Sequence, residues 1–309
     1  VGCTGSLMFF IIGFTQGLSA GFSIITAQRF GAQDDHGVRR SFAASLLLGG
    51  IISIVVTIAS VAGAGWLLKL LQTPPEILPD ATSYLVVVFA GIPTTMLFNV
   101  LSNALRALGD SKTPLIFLVI ACLFNIVLDV VLILYTPLGV AGAGVATVVA
   151  QLLSGLACVW YIFKRFPSLR LSTEDWKLTS KDISDHLRMG LPIGFQSSII
   201  AIGSLMLQFA LNGLGSVSVA AFTAASKLES LGSLPLISFG LATSTFVAQN
   251  YGAGKVHRIQ TGVLQASGMA LAWSVFIGTI FVVFGAPLSG FFVGEQAEAI
   301  RLSAIYLKV

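Results

Sequence analysis

Asp129 poses the sharpest chemical question in this chain, because it sits in the run NIVLDVVLIL with no loop charge beside it. An ionisable group held at mid-bilayer depth costs about 2.5–3.5 kcal/mol on insertion scales and marks a functional position by default. A carboxyl there can take up a proton or hold a cation. Asn125 lies four residues earlier, hence on the same helical face, where its amide can hydrogen-bond the carboxyl in either protonation state. The plainer alternative is an aspartate that only bonds across helices.

Polar residues recur at helical spacing on other apolar runs: Gln16, Ser19 and Ser23; Thr95, Asn99 and Asn103, with Ser102 adjacent; Thr147, Gln151 and Ser154. Taken singly, a Ser or Thr serves close helix packing as readily as a cavity. Asn99, Asn103, Asn125, Asp129, Thr147 and Gln151 together imply a wet cavity, to which Ser102 and Gln16 are assigned as well. Lys227 and Glu229 also interrupt an apolar run, but two residues apart they do not share a helix face. Lys227 is read as lining a water-filled cleft, with snorkelling to the interface as the alternative.

The elements that must hold these residues are membrane helices. Of the 309 residues 55% are hydrophobic and only 10% charged, and the mean hydropathy is +0.92. Soluble domains carry about 25% charged residues. Nine apolar stretches approach or exceed the roughly 20 residues a crossing needs: 4–28, 41–71, 81–105, 114–135, 140–163, 190–211, 217–249, 261–284 and one from 287. The fold class expected is therefore an all-α polytopic membrane protein.

Charge placement tests that map. Arg29, Arg39 and Arg40 follow the first stretch; Arg106 and Lys112 the third; Lys164, Arg165, Arg170, Lys177, Lys181 and Arg188 the fifth; Lys255 and Arg258 the seventh. These are 13 of the 17 basic residues, all after odd-numbered stretches. Basic loops stay cytoplasmic, so 29–40, 106–112, 164–188 and 255–258 are expected on that side of an inner membrane. The net charge of +4 then needs no nucleic acid to explain it.

The chain also repeats itself. SIITAQRFGAQDDH (Ser23 to His36) recurs as STFVAQNYGAGKVH (Ser244 to His257), offset by 221 residues, and SYLVV at Ser83 returns as IYLKV at Ile305, offset by 222. A period this long means duplication of a helical half, a common transporter plan. Six stretches separate the copies, so both halves enter the membrane in the same sense. The repeat predicts a parent of two homologous six-helix bundles, of which this chain holds about nine spans. The boundaries expected are an amino-terminal bundle at 1–165 lacking its first helix, a cytoplasmic linker at 166–189 and an incomplete carboxy-terminal bundle at 190–309.

Other signals carry little chemistry. GVAGAG (Gly139 to Gly144) has no preceding strand and reads as close helix packing. His36, His186 and His257 show no paired metal-ligand spacing, and Cys3, Cys122 and Cys158 read as small apolar fillers. Pro93, Pro192 and Pro235 can kink or begin helices.

RALGDSKTP (Arg106 to Pro114), NIVLD (Asn125 to Asp129), LGVAGAGVAT (Leu138 to Thr147), GLPIG (Gly190 to Gly194) and the duplicated AQ-x-x-GA loop, in this order and spacing, resemble the MATE (multidrug and toxic compound extrusion) family, most nearly its bacterial DinF-like branch. The resemblance covers essentially the whole chain. It implies a secondary antiporter exporting small organic, often cationic compounds in exchange for H⁺ or Na⁺, monomeric and without a cofactor. It also implies that Asn125, Asp129 and Thr147 occupy the ion-coupling positions, with Asn99 and Ser102 or Asn103 nearby. Some sodium-coupled members carry a Glu in the seventh family helix; QSSIIAIG here has none, with Ile199 near that position. That departure tilts the expectation towards protons. A lipid-linked precursor flippase of related architecture is the alternative. An enzyme, which would need clustered carboxylates or an activated nucleophile, and a passive channel stand behind it.

Overall fold

The computed structural model describes residues 5–70, 73, 75–212, 216–294 and 296–308, and the side chains of Ser6, Leu205, Gln208, Phe209, Asn212 and Ser216 are left aside. The expected span bounds at 4 and 71, most of the expected turn at 213–216, and Cys3 lie outside the described residues. Among the described residues every regular element is helical: α1 (Gly5–Gly31), α2 (Asp35–Leu70), α3 (Leu78–Ala90), α4 (Ile92–Ala107), α5 (Lys112–Tyr135), α6 (Val140–Arg165), two short 3-10 turns (Pro167–Leu169 and Thr173–Trp176), α7 (Ser180–Asn212), α8 (Ser216–Gly252), α9 (Val256–Val293) and α10 (Ala297–Tyr306). Among the described residues six stretches, within α1, α2, α5, α6, α8 and α9, are long and apolar enough to cross a membrane, and the α3–α4 pair makes a seventh if counted as one span.

These helices are apolar on the outside, as lipid requires. In α5 only Pro114 and Ala121 are buried, while Leu115, Ile120, Leu123, Val127 and Leu134 are exposed. All backbone polar groups of a helix bond within it, which is why helices can span where loops cannot.

Three boundaries differ from the sequence reading. The third stretch is two helices bent by 42°, broken at Gly91 with Pro in the first turn of α4. A Cβ on Gly91 would lie 2.1 Å from Val148 Cγ2, so glycine lets α6 press against the break. The carbonyl of Phe89, whose regular i+4 partner would be the amide-less Pro93, accepts a hydrogen bond from Thr57 Oγ1 at 3.2 Å. Second, α9 runs straight through Pro287 to Val293 and ends at Gly294, whose φ is +67°. The turn expected near 285–289 is therefore helix, and the ninth stretch is divided between α9 and the ten-residue α10. Third, α2 and α7 begin well before their apolar runs, so Arg39, Arg40, Lys181 and Arg188 sit on helix ends instead of loops. Hydropathy sees only the part of a helix that needs lipid.

The chain packs as two compact units, Val1–Ala201 with Gly252–Gly254, and Ile202–Tyr251 with Lys255–Val309. In the first, α6 packs on α3, α4 and α5, and α4 also packs on α1 and α2. One apolar core joins Leu18, Phe22, Val38, Phe42, Met96, Leu105 and Ile162 and takes in Leu169 of the segment after α6; a second holds Leu7, Leu68, Leu85, Phe89 and Ile92. In the second unit Trp273 Nε1 donates to the Gly232 carbonyl at 2.9 Å. There Ser289 and Ser303 bond at 2.7 Å.

Candidate functional site

Within the first unit α4, α5 and α6 pack mutually, and their polar residues are the ones the sequence singles out. GVAGAG makes part of this possible. A Cβ on Gly142 would meet the Leu132 carbonyl at 3.0 Å, and one on Gly144 would meet Val87 at 3.0 Å. The start of α6 thus lies tight against both α5 and α3.

Six side-chain N or O atoms among the described residues are buried without a hydrogen-bond partner: Asn99 Nδ2, Ser102 Oγ, Asn125 Nδ2, Asp129 Oδ1, Gln151 Oε1 and Arg40 Nε. All but the last belong to α4, α5 and α6. Buried polar atoms in folded proteins are nearly always paired, with protein or with ordered water. Each one left unsatisfied costs about 1–3 kcal/mol. Five such atoms on three mutually packed helices suit a place that takes up water or a small ion. Asn125 and Asp129 are half-buried on the inward face of a helix whose other faces are apolar.

The remaining expected residues divide. Thr147 donates its hydroxyl to the Ala143 carbonyl at 2.9 Å, which leaves its oxygen lone pairs free to accept or to ligate. Asn103 does not share the unpaired state of Asn99: its Nδ2 donates to Ser19 Oγ at 3.1 Å, and its Oδ1 accepts from Arg106 Nη1 at 3.0 Å. It acts as a strut between α4 and α1. Gln16 is exposed, so the structure does not gather it with the buried set. Lys227 is exposed on α8 in the second unit, where its neighbour Glu229 accepts from Tyr306 Oη at 3.3 Å.

Sequence reasoning missed Tyr84 of α3. It is 6% exposed and lies near Asp129. Its only trace in the sequence is that SYLVV belongs to the internal repeat.

A family model described as MatE matches residues 1–131 and 192–309. The chain belongs to the MatE family. Its match includes Asn99, Ser102, Asn125 and Asp129. Thr147 and Gln151 fall in the interval that a second model, described as Lipid II flippase MurJ, covers with residues 79–185. Curated MatE-like relatives include "Probable multidrug resistance protein YpnP" of Bacillus subtilis, 30% identical over 99% of this chain and 68% of that protein. "Probable multidrug resistance protein NorM" of Thermotoga maritima is 26% identical over 94% of this chain and 63% of its own length. The chain thus spans roughly two thirds of these relatives. Among solved structures, MATE in the bent conformation superposes with a TM-score of 0.91 at 26% identity, covering 99% of this chain and 70% of that one. A MOP superfamily transporter from Pyrococcus furiosus, for which a reversed pocket polarity suggested a different function, gives 0.91 at 26% identity, covering 100% and 71%.

Proposed function

We propose that this MatE-family membrane protein is a secondary antiporter that exports small organic, often cationic compounds in exchange for H⁺ or Na⁺. The observation that carries this reading is the set of unpaired buried atoms on the mutually packed helices α4, α5 and α6, the intramembrane carboxylate of Asp129 among them. Asp129 is the coupling acid. Asn125 and Thr147 supply further polar contacts to a bound ion, and Asn99, Ser102 and Gln151 hydrate or line its pocket.

An ion arriving at Asp129 changes the charge buried there and so shifts the balance between conformations open to opposite sides. A ligand shifts such a balance only by its differential affinity for the two states, and a charge taken out of water discriminates strongly. One proton entering down 100 mV releases about 2.3 kcal/mol, and each pH unit adds about 1.4 kcal/mol. Exporting a monovalent cation one-for-one uses up the voltage part, so one proton sustains about a tenfold cation gradient per pH unit, and more for a neutral compound or with a second proton. The protein works as a monomer in the cytoplasmic membrane, with the basic helix ends on the cytoplasmic side.

The test is efflux by the full-length protein in liposomes, with proton and sodium gradients imposed separately. Asp129→Asn should abolish ion-driven efflux at unchanged membrane abundance, and organic cations should stimulate ion flux in the wild type. Wild-type efflux by the Asn variant would remove Asp129 from the mechanism.

A lipid-linked precursor flippase is the second reading, favoured by the MurJ match over residues 79–185. A pyrophosphate headgroup calls for cationic side chains, whereas the buried set here is amide, hydroxyl and carboxylate. Translocation of a lipid pyrophosphate in the same liposomes would favour the flippase.

A further inference from the structure

Helix α1 carries Gly17 and Gly21, four residues apart, and α7 carries Gly190 and Gly194 at the same spacing. The two pairs face each other. A Cβ on Gly17 would lie 2.6 Å from the Ile193 carbonyl oxygen, one on Gly21 2.5 Å from Gly190 Cα, and one on Gly190 2.5 Å from the Phe22 ring. The helices therefore meet backbone to backbone, as small-xxx-small pairs allow, with the Phe22 and Phe14 rings of α1 resting on Gly190 and Gly194 of α7.

At its basic end the seam is closed by polar contacts. His186 is 1% exposed. Its Nε2 lies 2.9 Å from Ser41 Oγ, and Ser41 Oγ lies 2.9 Å from Thr26 Oγ1. Its Nδ1 lies 2.6 Å from the Asp182 carbonyl oxygen. A neutral ring satisfies all of this, with Nδ1–H donating to Asp182 and Nε2 accepting from the Ser41 hydroxyl. The two residues before Ser41 hold the same segment, Arg40 bonding Asp182 and Arg39 pairing with Asp175 at 3.5 Å. A polar cavity of about 100 Å³, lined by Arg29, His36, Arg40, Asp182, Asp185 and His186 among others, lies against the clip.

The clip is not an inherited part of the duplicated fold. At the repeat offset of 221, Arg39, Arg40 and Ser41 correspond to Gln260, Thr261 and Gly262, which carry no guanidinium and, at the position of Ser41, no hydroxyl. It ties α1 and α2 of the first half to α7, the helix that precedes the second copy of the repeat. A carrier that alternates must part such a contact on one face while keeping it on the other. A glycine seam held by a few side-chain hydrogen bonds is suited to that, because its backbones part with only the Phe14 and Phe22 rings to withdraw from Gly194 and Gly190.

Resting on the transport reading above, we propose that the α1–α7 glycine seam, latched by His186, Ser41 and Thr26, is the gate on the basic-loop side of the transport pathway, with His186 as its positioning residue. The test places a reporter, Leu18→Cys, in the seam, where Leu18 is 0% exposed. The full-length protein has its native cysteines replaced by Ser and sits in inverted vesicles, and a membrane-impermeant maleimide is added on the basic-loop side. The reporter should label slowly, and at least ~10-fold faster with His186→Gln, Ser41→Ala or the wedge Gly21→Ala. A second reporter, Leu68→Cys in the other apolar core, should stay unlabelled throughout. Unchanged Leu18→Cys labelling in all three variants, or parallel labelling of Leu68→Cys that betrays unfolding, overturns the gate. Labelling needs no transported compound, so a gate that opens in a protein with no ion-driven efflux would fault the antiporter reading alone.

Discussion

Replacing Gln151 with methionine separates a site built to receive an ion from a helix interface that merely tolerates an amide. Oε1 of Gln151 is buried and has no partner. Met has similar length and no strong acceptor, so the substitution removes the orphan while keeping most of the volume. An unsatisfied buried acceptor costs about 1–3 kcal/mol, and repacking a similar-sized side chain returns less than about 1.5 kcal/mol of that. Without coupling ion the variant should be as stable as the wild type or up to ~2 kcal/mol more stable, a rise of a few degrees in apparent melting temperature at about 2–4 °C per kcal/mol. The order should reverse with ion. A site filled at 100 times its dissociation constant stabilises by about 2.7 kcal/mol, and the variant should forgo much of this along with at least ~10-fold of its ion-driven efflux. The assay is thermal unfolding of purified protein across sodium titrations at fixed pH, and across pH without sodium, beside liposome efflux. A variant more than ~1 kcal/mol less stable without ion, with an unaltered ion response and full efflux, would show that the amide oxygen serves packing and would undercut the site.

Gly91→Ala drives a methyl into Val148 and should destabilise by about 1–3 kcal/mol; adding Val148→Ala should recover most of the loss, and no recovery in thermal unfolding would mean that the break, not the crowding, rejects alanine. Thr57→Val removes the donor to the Phe89 carbonyl and should cost about 1 kcal/mol, with faster hydrogen exchange at residues 89–95; unchanged exchange would show that this carbonyl finds another donor. Docking of the segment after α6 should weaken in two pH windows. Burial pushes the His186 imidazole below its ordinary value, so the unfolded chain takes up a proton that the folded one refuses, and stability is full above about pH 6.5 and falls below it. Asp175 and Asp182 are held below the usual carboxylate range by bonds from Ser172 and Thr179 and by Arg39 and Arg40; their contribution is present above about pH 4 and lost beneath it. Hydrogen exchange over residues 167–187 checks both, and protection that grows from pH 7 to pH 5 would contradict the sign.

The parts of the site written in single residues were legible. A carboxylate in NIVLD and amides in helical register at 99, 125 and 151 are costly in lipid, and cost is what a sequence reveals. The parts that depend on which helix meets which were not. Asn99 and Asn103 share a face and look alike in the chain, yet only Asn103 meets Ser19 and Arg106. Tyr84 in SYLVV is indistinguishable from a packed aromatic until α3 is set beside Asp129. GLSAG and GLPIG are both visible as glycine pairs, but nothing local says that they face each other. The apolar stretches ending at 284 and resuming at 287 are in fact continuous helix: inside α9 Pro287 forgoes only one backbone bond, and the helix continues to Val293.

The segment that follows α6 is pinned at both ends of its bend: Asp175 is held by Arg39, Asp182 by Arg40, and Leu169 is sunk in the core. It therefore behaves as a rivet and not as a leash. Severing the backbone between Lys177 and Thr179 would leave each cut end anchored by its own ion pair. Two co-expressed polypeptides divided there should find one another and assemble.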